Sequence, residues 1–237
     1  MVQLQKTFVK PVVKDLKKYY HCLMKKAFIF DLDGTLANSI YDIGDSVNYL
    51  LDQRGLPLHT YEEYLTYMGM GIGVTLSKAM PGYDDLGDEE KISLRKAYGA
   101  HNAEHCLDKT RPYEGMPEVL KTLAERGAVL GVFSNKPQAL VTKVSSGLYK
   151  EVAFAFALGD VEGQPMKPDP ARMIAELDKL GIKAEDSVFV GDGKPDMVTA
   201  KKAGMFACGV SWGFKGLEEL TGADLIINHP RELLEIN

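Results

Sequence analysis

The 237 residues are 45% hydrophobic and 26% charged. That balance belongs to ordinary globular proteins, so disorder is not the default and the chain can bury one large core or two modest ones. A formal net charge of −5 gives no electrostatic reason to bind nucleic acid or an acidic membrane surface, and neither is expected as a partner. Cys22, Cys106 and Cys208 are far apart and form no Cys-x-x-Cys pair, so they read as reduced thiols of a cytoplasmic protein.

The opening segment has Lys6, Lys10, Lys14, Lys17 and Lys18 against Asp15 alone. Few apolar residues accompany this charge, which favours a solvated extension over residues 1–25 rather than a membrane-surface arm. No apolar run approaches the roughly 18 residues that span a bilayer, and no signal-peptide core is present, so a soluble protein is expected. Met24 is an alternative start, because MKKAFIFDLDGTL would open directly on the first strand. Mass spectrometry of the protein from its native source distinguishes the two starts.

From Ala27 onward short apolar runs alternate with longer amphipathic ones, the pattern of a parallel sheet flanked by helices. The predicted strands are Ala27 to Phe30, Val129 to Phe133, Phe154 to Leu158, Val188 to Val190, Phe206 to Val210 and Leu225 to Ile227. Between them, Met116 to Arg126 reads as a helix ended by Gly127. Asp169 and Pro170 offer an N-cap and an N1 proline to a helix that Gly181 ends. The fold class expected is α/β, a doubly wound parallel sheet, which places ligands at the carboxyl ends of its strands. One interval breaks the rhythm. Residues 38–110 lack a convincing strand pattern but contain helix-like stretches around Ile43 to Gln53, Tyr61 to Tyr67, Val74 to Met80 and Glu89 to Cys106, which together read as a helical insertion.

The predicted strand ends carry the chemistry. In FIFDLDGTL, side chains at i and i+2 point the same way, so Asp31 and Asp33 can face one ligand while Leu32 turns inward and Gly34 permits a tight bend. Two carboxylates at the tip of a buried strand are costly without a cation, ligand or water to justify them. Ser134-Asn135-Lys136-Pro137 follows a second strand and Gly191-Asp192-Gly193-Lys194-Pro195-Asp196 a third, while Lys167-Pro168 sits in a loop ahead of a helix. In a doubly wound sheet these ends converge on one edge. Two other patterns are weaker. Gly69, Gly71 and Gly73 do not follow a strand, so a flexible substrate loop is a better reading than a dinucleotide site. His101-Asn102-Ala103-Glu104-His105 fits the H-x-x-E-H spacing of some zinc peptidases, yet reads more simply as the polar face of a helix.

DLDGT, the serine of FSNKP, Lys167 of MKPDP and GDGKPD, in that order, resemble the four motifs of the haloacid dehalogenase (HAD) superfamily. The helical insertion, MGMGIGVTLSKAM within it and RPYEGMPEVLKTLAERGAVLGVFSNKP resemble its phosphoglycolate phosphatase-like branch. The resemblance implies a Rossmann-like core over residues 26–37 and 111–237, with residues 38–110 as an inserted cap domain. It departs from the common pattern at Asn38, where aspartate is usual but Asn also caps helices well. It departs again at Gly193, where a hydroxyl residue is frequent.

The implied chemistry is hydrolysis of a small phosphorylated metabolite. An ionised aspartate such as Asp31 attacks phosphorus without needing a base, and a divalent cation removes the repulsion between the two anions. Mg2+, which favours oxygen ligands, is the expected cofactor, with Asp31 and Asp192 as carboxylate ligands. The resemblance adds the backbone carbonyl of Asp33 to that set. The Asp33 side chain would serve as general acid and base. Ser134, Asn135 and Lys167, with Gly34 and Thr35, would form the substrate-binding set, and Asp196 would support the metal site or orient Lys167. The alternatives are a sugar-phosphate mutase of the same superfamily, a phosphonatase using a cap lysine such as Lys78, and a non-hydrolytic phosphoacceptor switch. A monomer or small homo-oligomer is expected.

Overall fold

In the first strand alternate side chains serve different cores. The computed structural model describes residues 25–237, so the lysine-rich extension, Cys22 and the start at Met24 lie outside the described residues. Strand β1 (Ala27–Phe30) is buried along its whole length. Phe28 and Phe30 enter one apolar cluster with Val188, Val190, Leu120 and Val141, while Ala27 and Ile29 enter another with Phe189, Met173 and Met197. Because the strand period is two, a continuous apolar run is what a sheet covered on both faces requires. Each such Phe or Ile side chain contributes about 1.5–3 kcal/mol of burial.

Five further strands complete the sheet: β4 (Val129–Pro137), β5 (Phe156–Asp160), β6 (Ser187–Gly191), β7 (Phe206–Val210) and β8 (Leu225–Ile227). All pair in parallel in the order β5-β4-β1-β6-β7-β8. β1 therefore lies between β4 and β6, with Phe30 opposite Val132 and Val190. The order reverses direction around β1, so its carboxyl end opens onto the crevice where α/β sheets bind ligands. Helices α5 (Met116–Glu125), α6 (Gln138–Leu148), α7 (Ala171–Lys179) and α8 (Lys194–Ala203) connect the strands.

Between β1 and β4 a two-residue antiparallel ladder joins β2 (Ala37–Asn38) to β3 (Arg111–Pro112). Four helices fall between those two strands: α1 (Ile40–Asp52), α2 (Tyr61–Tyr67), α3 (Ile72–Ala79) and α4 (Asp88–His105). Helix α2 begins with a complete capping box, in which the Thr60 hydroxyl accepts from the Glu63 N–H and the Glu63 carboxylate from the Thr60 N–H. The insertion is fastened at its neck by buried Asp42, whose carboxylate accepts from the Lys109 N–H at 2.9 Å, the Thr110 N–H at 2.8 Å and the Thr110 hydroxyl at 2.7 Å.

Three local expectations differ from the structure. Asn38 does not cap a helix: it lies in β2 opposite Arg111, and Ser39 takes the N-cap position without a capping hydrogen bond, its hydroxyl donating instead to Asp33. Asp169 is one residue early, since Pro170 is the N-cap of α7, although the Asp169 carboxylate still accepts from the Ala171 N–H at 2.9 Å. Strand β5 starts at Phe156 because Phe154 packs edge-on against the Tyr149 ring. Phe154 thus contributes to a core rather than to the ladder.

Candidate active site

The site grows from the end of β1. The Asp31 N–H donates to the Val190 carbonyl at 2.9 Å, holding the residue in line with the sheet, and Leu32 is fully buried beneath the bend. The Leu32 carbonyl accepts from the N–H groups of Thr35, Leu36 and Ala37, which folds DGT into a tight loop. Gly34 occupies the left-handed region at φ +83, and a Cβ there would stand 2.3 Å from Asp192 Oδ2. No other residue type fits that position without displacing the carboxylate.

Strand β6 ends at Gly191 and sets Asp192 against this loop, while Asp196 lies in the first turn of α8 and accepts from the Gly193 N–H at 3.0 Å. Lys167 arrives from the loop before α7. Its ammonium is 2.9 Å from Asp31 Oδ1 and 2.7 Å from Asp196 Oδ1, and the residue is 4% exposed. Asn135 ties β4 to that loop by donating from Nδ2 to the Lys167 carbonyl at 3.2 Å. Ser134 is buried and borders the same cavity as Asp31, Asp33, Asn135 and Asp192. The structure thus brings Asp31, Asp33, Ser134, Asn135, Lys167, Asp192 and Asp196 to one sheet edge, with Gly34 shaping the loop and buried Thr35 behind it.

Burial dominates the electrostatics. Burial of Asp192 pushes its carboxyl up to about 8, reinforced by the neighbouring charges of Asp196 and Asp31. Asp31 is raised by the same burial, against which Lys167 pulls down. Burial opposes the charge on Lys167, yet Asp196 and Asp31 outweigh it and raise the ammonium's pKa. One ammonium therefore faces three carboxylates, and Asp192 has no cationic partner among the described residues. Its Oδ2 accepts only the Phe214 N–H, at 2.7 Å. Oxygens of Asp31, Asp192 and Asp196 lie within 4.8 Å of one another. An all-oxygen donor set with excess negative charge fits a hard divalent cation.

Three residues of this neighbourhood are not distinguished by the motifs. The Lys136 ammonium, in FSNKP, lies 3.0 and 3.1 Å from the two Asp33 oxygens, and its side chain is 2% exposed. Strand alternation was the available signal, since Lys136 is two residues beyond Ser134 and shares its face. Tyr98 on α4 is buried in the cavity wall, and its hydroxyl makes no hydrogen bond among the described residues. Lys215 follows β7 and donates to the Leu65 carbonyl of the insertion at 2.9 Å. The last two depend on how the insertion packs on the sheet, which no local pattern encodes.

The remaining sequence patterns sit apart from the carboxylates or at the cavity mouth. Gly71 is the N-cap of α3 and, with Gly69, borders the cavity. His101 stacks on Tyr49 and contacts the Ser46 hydroxyl through Nδ1, while His105 Nδ1 pairs with Asp108. Lys78 donates to the Thr66 carbonyl on an exposed face. The cavity itself is about 60 Å³, space for a few water-sized groups.

Comparison with known proteins supports the same reading. Residues 28–210 match the family model described as haloacid dehalogenase-like hydrolase. The phosphoglycolate phosphatase of Mannheimia succiniciproducens is 33% identical over 190 residues, spanning 78% of this chain and 85% of the relative. The N-acetylmuramic acid 6-phosphate phosphatase of Pseudomonas aeruginosa is 30% identical over 215 residues, spanning 89% of this chain and 94% of its own length. A crystal structure described as a predicted phosphoglycolate phosphatase from Haemophilus somnus superposes with a TM-score of 0.80 at 27% identity, covering 89% of this chain and 96% of that one. With the parallel sheet and four motif segments on one edge, these matches establish that the chain belongs to the haloacid dehalogenase-like hydrolases, as a phosphoric monoester hydrolase of the phosphoglycolate phosphatase-like branch.

Proposed function

We propose that the protein is a Mg2+-dependent phosphatase of a small phosphoglycolate-like metabolite, acting through an aspartyl-phosphate intermediate. The observation that carries this reading is the pairing of Lys167 with Asp31 and Asp196 at the strand edge, with Asp33 two residues beyond Asp31. An Asp31 carboxylate oxygen attacks phosphorus as the ester P–O bond breaks, and Asp33 delivers a proton to the departing oxygen. Asp33 then takes a proton from water, whose oxygen attacks the phosphoryl group, breaks the Asp31 O–P bond and releases phosphate. The Ser134 hydroxyl and the Asn135 N–H bind phosphoryl oxygens, and Lys167 balances their charge. Asp31, Asp192 and the Asp33 main-chain carbonyl would hold Mg2+, which supplies charge compensation for the carboxylates and the phosphoryl group.

In this reading residues 38–110 act as a cap over a core formed by 26–37 and 111–237, and docking of the cap excludes bulk water from the reaction. Among the described residues no helix is long and apolar enough to cross a membrane. That, with the unpaired thiols of buried Cys106 and Cys208, supports a cytoplasmic location. The test is metal-dependent release from an aryl phosphate. Asp31→Asn is expected to abolish it and Asp33→Asn to remove turnover while retaining metal binding. Turnover by Asp31→Asn comparable to the parent protein overturns the mechanism.

A further inference from the structure

The H-x-x-E-H segment of α4 holds a histidine pair that the chemistry at the sheet edge does not use. His101 and His105 stand one helical turn apart, with ring centroids separated by 4.5 Å and planes 34° from parallel. His101 also stacks on Tyr49 at 4.1 Å, which fixes its ring. The hydrogen bonds around the pair decide where its protons are. Ser46 Oγ and the Asp42 carbonyl oxygen lie 2.7 Å apart, a contact between two oxygens that requires the hydroxyl proton between them. Ser46 accepts from the Asn102 amide at 3.0 Å. Having no second proton, it can only accept from His101 Nδ1 as well, at 3.1 Å. His101 therefore carries its proton on Nδ1. The same holds for His105, whose Nδ1 lies 2.8 Å from an oxygen of the Asp108 carboxylate, which is an acceptor only. Both Nε2 atoms are left without a hydrogen-bond partner among the described residues.

We propose that His101 and His105 form a binding site for a divalent transition-metal ion, with the two Nε2 lone pairs as ligands and water completing the shell, separate from the carboxylates of the sheet edge. Imidazole nitrogen suits Zn2+, Cu2+ and Ni2+, whereas Mg2+ takes oxygen. An acceptor on the other ring nitrogen is what orients metal-binding histidines. Ser46 supplies it for His101 and Asp108 for His105. Two Zn–N bonds of about 2.0–2.1 Å place the nitrogens no more than about 4 Å apart. Rings with centroids 4.5 Å apart reach that spacing by a small turn of His105, whose side chain is 45% exposed. Burial, then the neighbouring His105, lowers the His101 imidazole from its usual range against the pull of Glu104 and Asp45, which keeps its Nε2 free of a proton at neutral pH. The pair closes the C-terminal end of α4, where the helix dipole favours a cation. No third His, Cys, Asp or Glu joins it among the described residues, so the site holds an ion without forming the ligand set of a zinc peptidase.

The test is calorimetric titration of the full chain with Zn2+ in excess Mg2+, beside proton–nitrogen NMR of the histidine rings. In the metal-free protein the NMR is expected to report the Nδ1–H tautomer for His101, and the Nε2–H tautomer overturns the proposal. Zn2+ is expected to shift the signals of both rings. Its binding should survive Asp192→Asn and weaken at least about tenfold in His101→Gln and in His105→Gln. Asp108→Ala leaves both ligands in place and should weaken it about tenfold by releasing the His105 ring. Zn2+ affinity unchanged in His105→Gln overturns the proposal. So does loss of the binding in Asp192→Asn, which would put the ion at the sheet edge. His105 is half-exposed, and replacing it leaves the Tyr49 and Ser46 contacts of His101 in place. His105→Gln therefore decides the matter should His101→Gln fail to fold.

Discussion

Asp192 is buried at the strand edge with no ion pair among the described residues. Its carboxyl is pushed from 3.8 up to about 8 by burial, then by Asp196 and Asp31. A carboxyl raised in this way binds more protons in the folded than in the unfolded chain between those two values. Its stabilising contribution is complete below the unfolded value and is lost as pH rises through the folded one. Metal-free protein is therefore expected to melt a few degrees lower at pH 8 than at pH 5. Asp192→Asn, a neutral isostere, should flatten that slope and melt higher than the parent at pH 8 while losing metal-dependent turnover. Metal binding has the opposite sign, because the cation requires the carboxylate: Mg2+ affinity by calorimetry should rise roughly tenfold per pH unit up to about pH 8 and then level off. A pH-independent affinity would mean that Asp192 is already ionised in the metal-free protein.

At the scale of elements, the turn after β1 decides where both carboxylates stand. Gly34→Ala must place a methyl at φ +83 and 2.3 Å from Asp192 Oδ2. The backbone alone costs about 1–2 kcal/mol, and the contact adds displacement of Asp192. The expected outcome is a melting temperature lower by several degrees together with weakened Mg2+ binding, measured by thermal unfolding and calorimetry. Unchanged values for both would show that the loop relaxes freely. The same turn shows what a sequence discloses. FIFDLDG is legible because a doubly buried strand must be apolar throughout and stops where its carboxylates begin, whereas β4 runs on through Ser134, Asn135 and Lys136 and β8 leaves Leu225 and Ile226 exposed. The insertion helices are legible to within a few residues from their periodicity and from punctuation such as the Thr60–Glu63 capping box. Asn38 and Asp169 mislead because suitable cap chemistry does not fix who occupies the cap. Ser39 holds that position while its hydroxyl is spent on Asp33. Lys136 was within reach of the two-residue strand rule, whereas Tyr98 and Lys215 meet the cavity only through the packing of the insertion on the sheet.

For the molecule as a whole, the contact that closes the neck of the insertion differs from the one that reaches it across the cavity. The neck is closed by Asp42, which gathers the returning Lys109 and Thr110 backbone in a buried hydrogen-bond cluster. The tie at the far side of the cavity is lighter. Lys215 reaches from the loop after β7 to the Leu65 carbonyl in α2, and its Cε would stand 3.1 Å from a Cβ at Gly69. Half-burial first, then the nearby Lys78, lowers the Lys215 ammonium from its usual range, so this charge is held at some cost against a single carbonyl. A contact of that kind suits a surface that parts and closes more than one that holds a fold together. Lys215→Met retains the aliphatic packing and removes the hydrogen bond. If docking of the insertion completes the reaction cavity, this variant should lose about five- to tenfold in kcat/KM on 2-phosphoglycolate. Its melting temperature should move by no more than a couple of degrees, because the neck remains intact. Mg2+ affinity should also be retained, since the carboxylates proposed to hold the ion belong to the sheet edge. Steady-state kinetics beside thermal unfolding and calorimetry separate the outcomes: unchanged kinetics would leave Lys215 a surface contact, whereas a parallel loss of Mg2+ affinity would place its effect on Asp192 through the intervening Phe214 rather than on docking.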